Sequence, residues 1–249
     1  LELSDFSLTE TEQLLRVTHP NASPQDIAEF HRLSSHNPRV QATALSQKLS
    51  LADTLAMLGP NPTTVEDAIR SVFRRAIDKL IDQSPNTEAK QINVLCEALA
   101  AFRPFIPLEV LALASGVPEG AIRSFVLDLG RPLCLIGSAV QFFDEPSETW
   151  FRETYKPSAQ KLVSFINAVR GLSVKNSYVA AALPQLMLEA GQYDELVRIV
   201  LNDIELPDSG MVEQSEAMLN RLQFALKAAL RSKNYADATK LALKAGGAT

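Results

Sequence analysis

The chain has 249 residues, long enough for one large domain or two to three small ones. An apolar share of 46% excludes wholesale disorder, and only 10 glycines with 6% aromatics favour helices over a sandwich or barrel. With 24 Lys plus Arg against 29 Asp plus Glu, the formal charge of −5 argues against a protein whose main task is neutralising phosphates.

No basic stretch followed by an apolar core marks a signal peptide, and no apolar run is long enough to cross a bilayer. No membrane partner is therefore expected. Cys96 and Cys134 lie far apart with no CxxC spacing, and read as buried thiols in a reducing compartment, the cytoplasm. The non-Met start and the Gly246-Gly247-Ala248-Thr249 end are expected of a piece cut from a longer chain.

In the first segment, Thr9 and Glu12 have the spacing of a helix-starting capping box. Ser23-Pro24-Gln25-Asp26 is a second start signal, with Ile27, Phe30, His31 and Leu33 following at helical spacing. That helix stops near Ser34–Asn37, and residues 39–49 form another. Three or four short helices are predicted. Gly59-Pro60-Asn61-Pro62 then reads as a linker. Thr64 caps a helix with Val65, Ala68, Ile69, Val72, Phe73 and Ile77 on one face and Arg70, Arg74, Arg75 and Lys79 on the other. Asp67, Asp78 and Asp82 dilute that positive face.

Residues 87–145 predict a helix (87–102), a Pro-bracketed turn (103–107), a short helix (108–115) ended by Gly116, and a third helix opened by Glu119. Gly130-Arg131-Pro132 stops the third helix, and two short strands around Gly137-Ser138 form a hairpin. Helix, short helix, helix, hairpin is the order of a winged helix. The third helix carries Arg123 against Glu119 and Asp128, and the hairpin has no Lys or Arg, so its composition argues against reading DNA.

A helix is predicted to start at Ser147, followed by helices at about 157–170, 176–190, 193–202, 213–232 and 235–245. A faint repeat runs through this part. Residues 190–195 (AGQYDE) resemble residues 232–237 (SKNYAD), an offset of about 42. Stacked helical hairpins of a tetratricopeptide-like kind are expected.

Catalytic signatures are missing from the sequence. No phosphate loop or GxGxxG is present. His31 and His36 are five apart, the wrong spacing for two metal ligands on one helix face. The acids around Asp144–Glu148 read as a helix-capping segment rather than a catalytic pair. The chain is expected not to be an enzyme by itself.

Taken in this order, the pieces resemble the STAND ATPases, the NACHT and NB-ARC group of signalling ATPases. Residues 8–45 resemble the helical lid that follows the nucleotide-binding core, with Ser34-Ser35-His36-Asn37-Pro38-Arg39 similar to the lid signature. Residues 94–153 resemble the winged helix of the same group, including the run Asp144-Glu-Pro-Ser-Glu-Thr-Trp-Phe-Arg152. The helical tail is similar to the repeat sensor arm. The resemblance implies a mostly α protein in three parts: a helical lid over 1–60, a winged helix with one short hairpin over 61–155, and a repeat arm over 156–249.

By the same resemblance, Pro38 packs near an adenine and Arg39 faces a phosphate. Two departures are visible. His36 stands where the family usually has Gly, and Phe142-Phe143-Asp144 stands where members often have Met-His-Asp, whose His reaches the phosphates. The implied function is a non-catalytic regulatory and oligomerisation part of an ATPase switch, of the kind found in bacterial phage defence or signalling. ATP or ADP with Mg is expected for the intact parent and none for this piece. The partners implied are the parent's own nucleotide-binding core, a protein or peptide ligand on the arm, and a further copy in self-association. The alternatives are a winged-helix transcription regulator and a helical protein-interaction scaffold.

Overall fold

The structure, a computed structural model, describes residues 5–82, 86–129, 133–204 and 210–246. Contacts divide the chain into two compact units. The first takes residues up to 89 together with 125–134 and 142–151; the second takes 90–124, 135–141 and the chain from 152 onward. The segment 61–155 contributes residues to both.

In the first unit, α1 (Leu8–Thr18), α2 (Pro24–Leu33), α3 (Pro38–Ser46), α4 (Leu51–Leu58) and α5 (Val65–Asp82) follow in order. Their starts are set by side-chain caps at Ser7, Ser23, Asn37, Ser50 and Thr64, each accepting a backbone N–H of the first turn. The capping box of α1 is Ser7 with Glu10, not Thr9 with Glu12. Starting the helix there turns Thr11 and Leu15, four apart, into the interior and leaves Glu12 to pair with Arg16 at 2.8 Å. Leu15, Ile27, Phe30, Leu33, Val40 and Leu45 form the core between these helices. The Gly59–Pro62 segment lies inside this unit. Gly59, at φ 81°, caps α4, and beyond the segment Thr63 N–H donates to Leu33 O at 2.7 Å.

α5 buries Ala68, Phe73 and Ile77. Phe73 stacks on Trp150, with ring centroids 4.9 Å apart, and meets Phe151 at 5.3 Å. Both partners come from α9 (Glu145–Thr154). That helix begins two residues earlier than the sequence suggests, because Asp144 caps it and Pro146 is tolerated in its first turn, where no amide donor is needed.

Elements of the second unit include most of α6 (Asn86–Ala101), α7 (Leu108–Ser115) and the start of α8 (Glu119–Leu129). Gly116, at φ 72°, ends α7 in the left-handed region. Gly130, Arg131 and Pro132 lie outside the described residues. The hairpin is joined by a third strand: β1 (Ile106–Pro107) pairs antiparallel with β3 (Ala139–Phe142), and β2 (Leu133–Ile136) lies on the other side of β3. The Pro-bracketed turn is therefore partly a strand, with Ile106 opposite Val140. With β3 running over Ala139–Phe142, Val140 and Phe142 are buried on one face, and Phe143, just past the strand, is 58% exposed. Arg152 closes the end of α6 by donating to Ala100 O and Phe102 O, both at 2.6 Å.

From residue 159 the described residues of the unit form α10 (Ala159–Val169), a 3₁₀ turn at 170–172, α11 (Ser177–Glu189), α12 (Tyr193–Leu201), α13 (Met211–Arg231) and α14 (Tyr235–Gly246). The faint sequence repeat has a geometric counterpart. The α11–α12 turn is closed by Ala190 N–H to Leu186 O and Gln192 N–H to Met187 O, and the α13–α14 turn by Ser232 N–H to Ala228 O and Asn234 N–H to Ala229 O. Gly191 (φ 76°) and Lys233 (φ 59°) hold the same left-handed position in the two turns. α13 packs against both α11 and α12.

Cys96 is buried as expected, and burial, with Glu97 second, pushes its thiol pKa up. Cys134 is only half-buried, a correction to the sequence reading, because it sits on a strand of a three-stranded sheet rather than in a helix core. Among the described residues, no single helix is long and apolar enough to cross a membrane.

Candidate functional site

Pro38 and Arg39 open α3 in the first unit. Asn37 Oδ1 accepts Arg39 N–H at 2.9 Å and Val40 N–H at 3.3 Å, while Asn37 O accepts Gln41 N–H at 3.1 Å. Pro38 has no amide hydrogen. The amide donors that usually make a helix start an anion site are therefore engaged, and the polar contribution of this corner to a ligand is the half-exposed Arg39 guanidinium. Pro38 adds a half-buried apolar surface.

The chain enters α3 through two left-handed residues, Ser35 (φ 53°) and His36 (φ 60°). His36 thus takes up a backbone conformation that favours glycine although it carries a side chain. The turn is fastened by His36 N–H to His31 O (3.1 Å) and by Phe6 N–H to His36 O (2.8 Å). The His36 ring stacks on His31 with centroids 4.1 Å apart and planes 14° from parallel.

Beneath the turn is a polar cluster in the core. Thr11, Ser34 and Gln41 are fully buried. Gln41 Nε2 donates to Thr11 Oγ1 (2.9 Å) and Ser34 Oγ (3.0 Å), and Ser34 Oγ donates to His31 O (3.0 Å). Thr11 Oγ1 lies 2.8 Å from His31 Nδ1. Since that oxygen already accepts from Gln41, its own proton is available to the Nδ1 of a neutral ring. Burial, and then the neighbouring His36, lower the His31 pKa. Sequence reading missed this cluster. The signal was there: Thr11 and Gln41 stand at helical positions beside Leu15 and Val40, where an apolar residue is usual.

Arg39 and Asp144 are brought together. Arg39 Nε is 3.9 Å from Asp144 Oδ2, with the arginine half exposed and the aspartate mostly covered. Asp144 Oδ1 accepts Ser147 N–H at 2.9 Å, so the same carboxylate caps α9. Phe143, next to Asp144, is exposed and adds no charge.

The other candidate surfaces carry less chemistry. Along α5, an open depression of about 760 Å³ is lined by Arg70, Arg74 and Arg75 interleaved with Asp67, Asp78 and Asp82. Arg70 is 3.4 Å from Asp67, so this is a mixed-charge face and not a basic stripe. On α8, Arg123 is half-buried and Leu127 is 72% exposed, a poor arrangement for contacting base edges. Among the described residues, no group of three or more His, Cys, Asp or Glu is placed to hold a metal ion. In comparisons with known proteins, no family model matches the chain and no curated protein matches its sequence.

Proposed function

We propose that this chain is a regulatory, non-catalytic part of a STAND-type ATPase switch, acting in the cytoplasm, with ATP or ADP and Mg bound by the intact parent. The observation that carries this reading is the pairing of Arg39 with Asp144. The first residue belongs to the lid-like signature, the second stands in the Met-His-Asp position of the winged-helix-like segment, and the two lie 3.9 Å apart within one compact unit. The left-handed backbone at His36 supports it further, since the glycine-like turn persists where the sequence departs from the family.

On this reading, Pro38 offers an apolar edge to an adenine and Arg39 its fixed charge to a phosphate. The engaged amides of α3 supply no phosphate cradle, so that part of the site falls to the parent's nucleotide-binding core. Asp144 competes with the nucleotide for Arg39. Nucleotide loss then strengthens the Arg39–Asp144 attraction, which is the differential contact a two-state switch requires. Signalling, including phage defence, and self-association follow as roles of the parent.

The test is a longer chain that includes the coding sequence upstream of Leu1. A phosphate loop should be encoded there, and the longer chain should bind ADP. Arg39→Ala should weaken that binding about tenfold, roughly 1.4 kcal/mol, while Arg16→Ala leaves it unchanged. An upstream sequence with no phosphate loop, or unchanged ADP affinity in Arg39→Ala, overturns the reading.

A further inference from the structure

The turn between α2 and α3 holds strain. Ser35 and His36 are consecutive left-handed residues, at φ 53° and 60°, and neither is glycine. Two of their groups tie in parts of the first unit that are distant in sequence. His36 O accepts the Phe6 amide at 2.8 Å, and Ser35 Oγ donates to Thr63 O at 2.9 Å. Over the turn, the exposed His36 ring lies flat on the half-buried His31 ring, centroids 4.1 Å apart. Two neutral rings, or one neutral ring and one charged, attract in this arrangement; two charged rings repel.

We propose that the Ser34–Asn37 turn is an acid-released clasp: the His31–His36 pair accommodates one proton with the turn closed, and a second proton opens it, freeing Phe6 and Ser35 from their tethers. The first proton goes to the solvent-exposed His36, where it rests as a cation against the face of His31. The second must enter on His31 Nδ1. In the neutral ring that nitrogen accepts the Thr11 hydroxyl at 2.8 Å. Protonation there turns the Thr11 hydrogen away, and it needs a new acceptor. Gln41 Oε1 is buried with no hydrogen-bond partner among the described residues, but its amide must turn over to meet Thr11, giving up the bonds from Nε2 to Thr11 Oγ1 and Ser34 Oγ. Burial first, and His36 second, oppose charge on His31. The closed turn therefore binds the second proton poorly and the open one binds it well, and opening also relieves the two left-handed residues.

Most charged groups on the elements around the pair are engaged with other partners. On α1, Glu10 accepts from Ser7 and Glu12 pairs with Arg16. On α2, Asp26 accepts from Ser23 and Glu29 pairs with Arg32. On α3, Arg39 faces Asp144, and on α4, Asp53 accepts from Ser50. Asp5 precedes Phe6, and His19 follows the end of α1. Of all these neighbours, His36 is the one whose charge bears on His31. The clasp immediately precedes Pro38 and Arg39, the corner that the switch reading gives to nucleotide, but it opens or stays shut with no nucleotide present.

Hydrogen exchange of the full chain, read residue by residue by NMR at pH 7.5 and pH 5.0, tests the clasp. After correction for intrinsic exchange rates, the Phe6 amide should lose protection at least tenfold more than the Phe73 amide of α5. His36→Gly removes one ring and supplies the residue best suited to φ 60°. It should keep Phe6 protected at pH 7.5 and abolish the extra loss at pH 5.0. If His36 merely filled space, its removal would expose Phe6 at both pH values. His31→Gln, which lacks the second proton site, should abolish the extra loss as well. A wild-type Phe6 amide with no protection at pH 7.5, or with a loss equal to that of Phe73, overturns the proposal; in the second case the whole unit melts at once. So does an acid response that survives in either variant, or a Phe6 amide exposed at both pH values in His36→Gly.

Discussion

Asp144 serves two partners at once: Oδ1 accepts the Ser147 amide at 2.9 Å, and Oδ2 faces Arg39 Nε at 3.9 Å. The two roles separate by substitution. Asp144→Asn keeps an N-cap oxygen and loses only the charge, and the half-exposed pair is worth about 0.5 kcal/mol or less. Asp144→Ala also loses the cap, at about 1 kcal/mol. Urea unfolding of both variants, alone and with Arg39→Ala, should show the two losses adding in that order. An Asn variant as unstable as the Ala variant contradicts the cap assignment.

His31 makes the first unit sensitive to mild acid. Its folded pKa lies below the ordinary value, because burial and His36 disfavour the imidazolium. The unfolded chain therefore binds the proton first. Stability is fully present above the ordinary histidine pKa of about 6.5 and is lost as pH falls through it toward the lowered folded value. The urea midpoint should drop between pH 7.5 and pH 5.5, and His31→Gln should flatten that drop. Glu10 and Asp26, whose pKa values are lowered by hydrogen bonds from Ser7 and Ser23, act in a separate window. Their contribution persists above the ordinary carboxylate range and fades only below it.

Phe73 is fully buried against Trp150 and Phe151. Truncation to Ala removes the ring and leaves a cavity bordered by two rings held on α9, which collapses poorly. The expected loss is about 3 to 5 kcal/mol, measured by chemical denaturation. A cost under about 1 kcal/mol means the aromatic contact is not formed.

The paired turns of the helical hairpins predict opposite responses. Gly191, at φ 76°, has nothing within 4 Å of where a Cβ would stand, so Gly191→Ala meets only backbone strain, about 1 kcal/mol of lost thermal stability. Lys233 already bears that strain at φ 59°. Lys233→Gly should relieve it, offset in part by the looser unfolded chain, for a net gain of about 0.5 kcal/mol. Calorimetric melting of both variants checks the pair; a loss in Lys233→Gly removes the argument.

Helix order was readable because the punctuation is local. Ser23-Pro24, Gly116 and Pro146 act within a turn of themselves, and α2 and α7 fall where those residues place them. β1 was not readable: two residues, one of them proline, carry no period, and only their partner on β3 makes them a strand. The α1 start slipped by two residues because Ser7 and Thr9 both have an acid three positions on, and only burial of Thr11 decides between them. At the candidate site, Pro38 and Arg39 were legible as a motif. The His31–Thr11–Gln41 cluster was not, since it joins residues 20 and 30 positions apart through packing alone.

The only tryptophan, Trp150, lies in the first unit, and all four tyrosines, at 155, 178, 193 and 235, lie in the second. Each unit thus carries its own intrinsic fluorophore. Excitation at the red edge of the absorption band reports the Phe73–Trp150 stack alone, and tyrosine emission reports the second unit. One unlabelled sample therefore tells whether the two units melt as one cooperative block or in sequence.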